Sequence, residues 1–286
     1  MPAFGLPLEK EMENHIIHRT SKRPDERNCA MKDNIVMQLF NGFDDFDVVM
    51  SDITNQPFVT KDNTVLVYTD AYALENKLDY LRFSGYAVST EPAPRNRQEL
   101  IERLLLNGVE TIVLNQSDDG EEPCACAVKE LPFDGVIPEA SADEEAPVVN
   151  PALTSALNNY FQLLGAGEAK AKEAENLFDQ LRKARFVAPL NVMATEIKGV
   201  PVFPTIGSNG PIPLFADETM MREALDGGLS SDTVAPYPLT WDEVLAAIEQ
   251  DGITFSLNPN TVSLELNRET TGEPSALLAV VPEIFR

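Results

Sequence analysis

The sequence predicts an α/β chain of the α+β kind, two tandem copies of one small mixed-sheet module with helices packed on it. Three observations carry that expectation. A strand ending in aspartate and followed by a helix occurs once in each half, a second helix follows at matching spacing, and an acidic stretch bounded by prolines divides the chain almost in two. That stretch, 138–147, is rich in small and acidic residues and has no apolar periodicity, so it reads as an extended linker. The expected organisation is an N-terminal segment 1–33, a diverged module 34–137, a linker 138–149 and a better-matching module 150–286.

The elements pair in order. VLVYTD (65–70) alternates like a strand, ends at Asp70 and leads into AYALENKLDYL; IPLFAD (212–217) ends at Asp217 and leads into ETMMREALDGG. Leu78-Asp79 and Leu225-Asp226 stand at the same offset from those aspartates. Proline-containing connections follow, VSTEPAP (88–94) and VAPYPL (234–239). Next come the helices QELIERLLLNG and DEVLAAIEQDG, which run into Gly108 and Gly252 as C-terminal stops. VETIVLN (109–115) and ITFSLN (253–258) read as strands, each followed by a turn and a last strand, CACAVKEL or TVSLEL. Upstream, QPFVTKDNTVLVY and VPVFPTIGSNGPIPLF read as hairpins, and NIVMQLF (34–40) reads as a strand corresponding to RFVAPL (185–190). The second half adds two helices: ALTSALNNYFQLL, opened by Asn150 as a cap with Pro151 at the first helical position, and EAKAKEAENLFDQLRKA.

Composition narrows the function classes. Hydrophobic content of 43% with 24% charged residues is that of a globular protein. No apolar run approaches the roughly 20 residues that span a bilayer. The start, MPAFGLPLEKEMENHIIH, puts acids where a signal peptide has a basic region, so a cytoplasmic protein is expected. Three cysteines (Cys29, Cys124, Cys126) form no disulfide framework, which agrees with a reducing compartment. The net charge is −24, and because six basic and six acidic residues balance over the first forty, the excess lies in the rest of the chain. Such a surface repels phosphate backbones and anionic lipid, which argues against nucleic-acid and membrane partners.

Each chemically suggestive residue has an ordinary structural reading beside it. Asp70 and Asp217 stand where a strand gives way to a helix, the place of an N-cap. Glu99 and Glu243 lie three residues after Asn96 and Thr240, the capping-box spacing. Cys124 and Cys126 point to one face of a strand and lack the companions that a zinc site needs. His15 and His18 sit in the polar N-terminal stretch with no obvious third ligand. GAG at 165–167 lies between helices, unlike a phosphate loop. The acidic turns 41–47 and 117–120 lack the spacing of a calcium loop. No catalytic, cofactor-binding or metal-ligating residue is therefore assigned, and no cofactor is expected. Trp241, the only tryptophan, has two readings: packing at a helix start, or an anchor in a binding patch. Taken as an exposed corner beside a proline-stiffened loop, Tyr237 and Trp241 form the candidate interaction surface.

NPALTSALNNYF, LRKARFVAPL, IPLFADETMMREAL, WDEVLAAIEQDG and ITFSLNPNTVSLEL together resemble the SseB N-terminal domain of bacteria over nearly all of 150–268, and 34–131 resembles it more weakly. The resemblance implies a bacterial, cytosolic α/β protein without an assigned enzymatic activity or cofactor. The expected function is a noncatalytic protein- or peptide-binding or regulatory module. The alternative is an enzyme or small-ligand binder with its site between the modules. A cleft with polar groups converging from both halves would favour the alternative, and a broad apolar patch on one module would favour the first reading.

Overall fold

The computed structural model describes residues 36–37, 39–42, 45–116, 124–135, 146–226, 233–259, 261 and 263–278. Most of the linker, the N-terminal segment with His15, His18 and Cys29, and the turn at 117–120 lie outside the described residues. The chain is mixed α/β. Its first half contains β1 (Asp47–Ser51), β2 (Gln56–Pro57), β3 (Thr64–Tyr68), α1 (Ala71–Phe83), β4 (Val88–Pro92), α2 (Arg97–Leu106), β5 (Thr111–Leu114) and β6 (Cys124–Ala127). The second half contains α3 (Pro151–Gly165), α4 (Ala171–Lys183), β7 (Arg185–Asn191), α5 (Val192–Lys198), β8 (Ile212–Leu214), α6 (Glu218–Asp226), β9 (Val234–Thr240), α7 (Trp241–Asp251), β10 (Phe255–Leu257), β11 (Leu264–Leu266) and α8 (Pro274–Leu277).

In the first sheet β4 pairs along one edge of β1, and β2 and β3 share the other edge. β5 lies parallel to β3, and β6 closes the sheet antiparallel to β5. In the second half β9 pairs antiparallel with β7, β8 parallel with β10, and β10 antiparallel with β11, while an antiparallel bridge between Val187 and Phe215 joins β7 to β8. Strand order and orientation thus coincide, and so does register. Ser51 faces Val88 as Asn191 faces Val234, and Asp47 faces Tyr68 as Val187 faces Phe215. Val65 faces Ile112 as Ile212 faces Phe255. Even a left-handed asparagine recurs after the parallel strand. The Asn115 N–H donates to the Val67 carbonyl and its Oδ1 accepts from Thr69; the Asn258 N–H donates to Leu214 and its Oδ1 accepts from Ala216.

Both faces of each sheet are covered. On the first sheet, Leu100, Ile101 and Leu104 of α2 pack with Val48, Val65 and Ile112, and Leu74, Leu78 and Leu81 of α1 pack with Val49, Leu66 and Val113 on the opposite face. On the second, α3, α4 and α7 cover Phe186, Leu214 and Phe255, while Met221 and Leu225 of α6 cover Val187 and Phe215.

Four expectations are corrected. NIVMQLF is not a strand where it is described: 36–37 and 39–41 are helical, because Val36, Leu39 and Phe40 bury one face at three- and four-residue spacing. The strand in that role is β1. The proline connections are the strands β4 and β9, each paired along one edge only. Val187 exchanges both backbone hydrogen bonds with Phe215, the residue after β8, so opposite it Pro238 turns its N–H-less nitrogen away from the sheet, where a strand tolerates proline. Only the first of the two expected hairpins has two strands; at 201–211 the chain makes a turn with Ile206 N–H bonded to Pro211, and β8 alone is extended. Finally, the end of the presumed linker is packed: Val148 and Val149 are buried, and Val148 joins the α6 face.

Helix α3 is the joint between the halves. Leu153, Leu157, Tyr160 and Phe161 enter the second core. Its polar residues reach across to the first half: Ser155 donates to Asn63 (2.9 Å), Asn158 to Asn107 (2.7 Å), and Gln162 accepts from Val59 N–H (3.2 Å). These cross-half hydrogen bonds favour one relative placement of the partners, since a displaced half would leave them unpaired.

Candidate functional site

The acids singled out in the sequence separate into different environments. Asp70 is an exposed N-cap, accepting from Ala73 N–H at 2.8 Å. Glu243 completes a capping box with Thr240: Thr240 N–H donates to its carboxylate at 2.7 Å and Glu243 N–H donates to Thr240 Oγ1 at 3.3 Å. Glu243→Ala is therefore expected to lower unfolding stability by about 0.5–2 kcal/mol, read from a urea titration. The expected capping box at Asn96 and Glu99 does not form, since Asn96 makes no side-chain cap bond. Asn150 does not cap with its side chain either. Its amide donates to the Arg185 and Ala216 carbonyls, tying the start of α3 to β7 and to the end of β8.

Asp217 differs from its counterpart. Its Oδ1 caps α6 through Met220 N–H (2.7 Å), as expected, but the residue is only 1% exposed and its Oδ2 meets no hydrogen-bond donor among the described residues. Burial pushes the carboxyl up to about 6; the charges of Glu223 and Glu218 add to the rise, and the backbone donors of Met220 and Thr219 oppose it. Asp217 lines a cleft of about 360 Å³ between the halves. The first half contributes Asn55, Gln56, Glu99, Glu102, Arg103 and Asn107 to it; Thr219, Met220, Glu223 and Asn258 come from the second. Arg103 is engaged on three sides: Nε donates to Gln56 (3.1 Å), Nη2 to the Asn55 carbonyl (3.0 Å), and Nη1 lies 3.5 Å from Glu91. Sequence reasoning identified the cap and missed the cleft, because the burial of Asp217 comes from the packing of its own half and the approach of the other, neither of which is written in the local pattern.

The aromatic corner is corrected in part. Trp241 is 5% exposed and lies in the second core, edge-on to Phe178 and tilted against Phe186, so it is not a surface anchor. The reason is its place at the first position of α7, which turns the indole onto the same face as Val244 and Ile248. Tyr237 stays half-exposed on the edge strand β9, packed against Phe203 between exposed Pro236 and Pro238. Close in sequence to Phe203 lies an apolar surface that the sequence reading did not single out. Helix α5 buries none of its residues, yet carries Met193 (61% exposed) and Ile197 (82% exposed), and Val200 and Ile206 follow, also exposed. It is held by its ends: Asn191 Oδ1 accepts from Ala194 N–H, and Gly199 closes it at φ 69°.

Cys124 and Cys126 lie on the same face against the first core, Cys126 buried and Cys124 partly so. Among the described residues no three histidine, cysteine or acidic side chains converge as a metal site, and no helix is long and apolar enough to cross a membrane. No family model, no curated protein and no solved structure matches this chain.

Proposed function

We propose that the chain is a noncatalytic binding or regulatory module of the SseB type, acting in the cytoplasm on a protein or peptide partner, and that it is built from two copies of one unit. The coincidence of strand order, orientation and register between the halves supports the duplication. The capping roles of Asp70 and Glu243 account for two of the acids that a catalytic reading would have enlisted. The net charge of −24 disfavours nucleic acid and anionic membrane as the partner.

The observation that carries the binding reading is α5. A helix of seven residues is too short to persist on propensity, and helices in proteins are stabilised mainly by burying an apolar face. This one fully buries no side chain, keeping Val192, Ala194 and Thr195 only partly covered, and presents Met193 and Ile197 to solvent four residues apart, with Val200 beyond and half-exposed Phe203 and Tyr237 after them. Exposed apolar clusters of this kind mark interaction surfaces. Tyr237 thus remains in the proposed surface and Trp241 leaves it.

A displayed random-peptide library panned against the full chain tests this. The expected selection is of sequences with apolar or aromatic anchors whose binding is lost in Met193→Asp, Ile197→Asp at an unchanged melting temperature. Selected peptides that bind the double variant as tightly as the parent, or a library from which nothing is enriched, would sink the assignment.

A further inference from the structure

We propose that the cleft between the halves binds a small organic cation, an alkylammonium or alkylguanidinium group, with the unpartnered Oδ2 of Asp217 as its anchor. This does not rest on the peptide-binding surface, which lies on other elements.

Buried carboxylate oxygens are normally satisfied, because desolvation without a partner is costly. One oxygen here has the Met220 amide; the other, closed off from solvent, has no donor among the described residues, and the residue itself lines the cleft. An occupant that supplies N–H groups completes the set. The surrounding charges specify its sign: Glu99, Glu102 and Glu223 line the same cleft, and Arg103 has its guanidinium committed to Gln56, the Asn55 carbonyl and Glu91. An anion meets three further carboxylates, and at the start of α6 it finds the Met220 amide already taken by Asp217 itself. A bare metal ion requires several converging oxygen or nitrogen ligands, and among the described residues no three acidic, histidine or cysteine side chains provide them. A cation that carries its own donors meets neither obstacle. Leu106, Phe215 and Met220 contribute apolar wall for an alkyl stem, and Asn55, Asn107 and Asn258 line the same space. The volume of about 360 Å³ is at the lower end of small-molecule sites, which suits an amine of a few carbons.

Calorimetric titration of the full chain with n-butylammonium and n-butylguanidinium chloride, at a pH above the range in which Asp217 titrates, tests the proposal. Parallel titrations use sodium butyrate and magnesium chloride. The expected result is saturable binding of the two organic cations and none of the anion or the metal. Amide NMR of the same samples should show the Thr219 and Met220 resonances moving, a readout that needs no variant. Asp217→Asn keeps a capping side chain and is expected to weaken binding by about tenfold or more, the effect of losing one charge-assisted hydrogen bond. Nα-acetyl-lysine methylamide separates two sources of the same chemistry: affinity equal to butylammonium identifies a lysine side chain of a partner, and exclusion of the blocked amino acid identifies a free amine. No saturable binding of either organic cation, butyrate or magnesium bound in their place, or organic-cation binding unchanged in Asp217→Asn would each overturn the proposal.

Discussion

Replacing Trp241 by alanine is expected to cost about 3–5 kcal/mol of unfolding free energy, the range for truncating a large aromatic in a packed core. The indole is almost fully enclosed, edge-on to Phe178 of α4 and tilted against Phe186 of β7, so its removal opens a cavity where two helices meet the second sheet. Val244 and Ile248 on the same face of α7 are fully buried and cannot move into the space without leaving their own contacts. For a folding unit that is marginally stable, this is a large share of the whole. Urea denaturation followed by circular dichroism gives the number. Trp241→Phe keeps a ring and should lose less than half as much. Because Trp241 is the only tryptophan, its emission is a second check: it should be blue-shifted and protected from iodide quenching in the native protein. A red-shifted, freely quenched emission together with an alanine variant of unchanged midpoint would return Trp241 to the surface. Tyr237→Ser should be mild by comparison, since Tyr237 is half-exposed on an edge strand and its main ring contact is Phe203.

What the sequence made legible, and what it did not, follows from the range of the interactions involved. Local signals held: the strand at β3, the Asp70 and Asp217 caps, the Thr240–Glu243 capping box, and the stop at Gly252 with φ 66°. Each depends on residues within a few positions of one another. Proline misled, because a chain segment such as VAPYPL looks like a connection until a partner strand shows which of its edges carries hydrogen bonds. The short apolar run at 34–40 was ambiguous between period two and period 3.6, and its burial against α2 and the first sheet decides for helix where it is described. Glu99 matched the capping-box spacing, but it lines the inter-half cleft and Asn96 makes no side-chain cap bond. The candidate site was the least legible part. Its cleft joins Asn55 and Arg103 to Asp217 and Asn258, residues more than a hundred positions apart that meet because α3 joins the halves. The apolar face of α5 escaped notice for a different reason: Met193 and Ile197 have the spacing of a buried helix face, and only the fold leaves them uncovered.

Asp217→Asn is expected to stabilise the protein above neutrality and to remove one component of its pH dependence. The carboxyl is raised from 3.8 to about 6 in the folded chain, chiefly by burial, so the folded state holds this proton more tightly than the unfolded state does. Between roughly pH 4 and pH 6 the folded form is protonated while the unfolded form has ionised, and stability falls as pH rises through that window. Below it both states are protonated and the penalty is absent; above it both are ionised and the penalty is complete. A shift of this size corresponds to about 3 kcal/mol, taken as an order of magnitude. The asparagine variant escapes the ionisation while retaining an oxygen for Met220 N–H, so a gain of about 1–3 kcal/mol above pH 7 is expected, shrinking toward zero near pH 4. Glu99, Glu102, Glu218, Glu223 and Arg103 face the cleft or adjoin the cap and remain in both proteins, so the difference between the two stability–pH curves isolates Asp217. Asp70→Asn is the control: Asp70 is an exposed cap, and asparagine caps about as well as aspartate, so that variant should change stability by no more than a few tenths of a kcal/mol. A variant that instead loses stability relative to the parent as pH rises through this window would mean that the ionised Asp217 is favoured in the folded chain, against its burial without a donor for Oδ2. With butylammonium in the cleft the curve should flatten, because the cation stabilises the carboxylate form that burial alone disfavours.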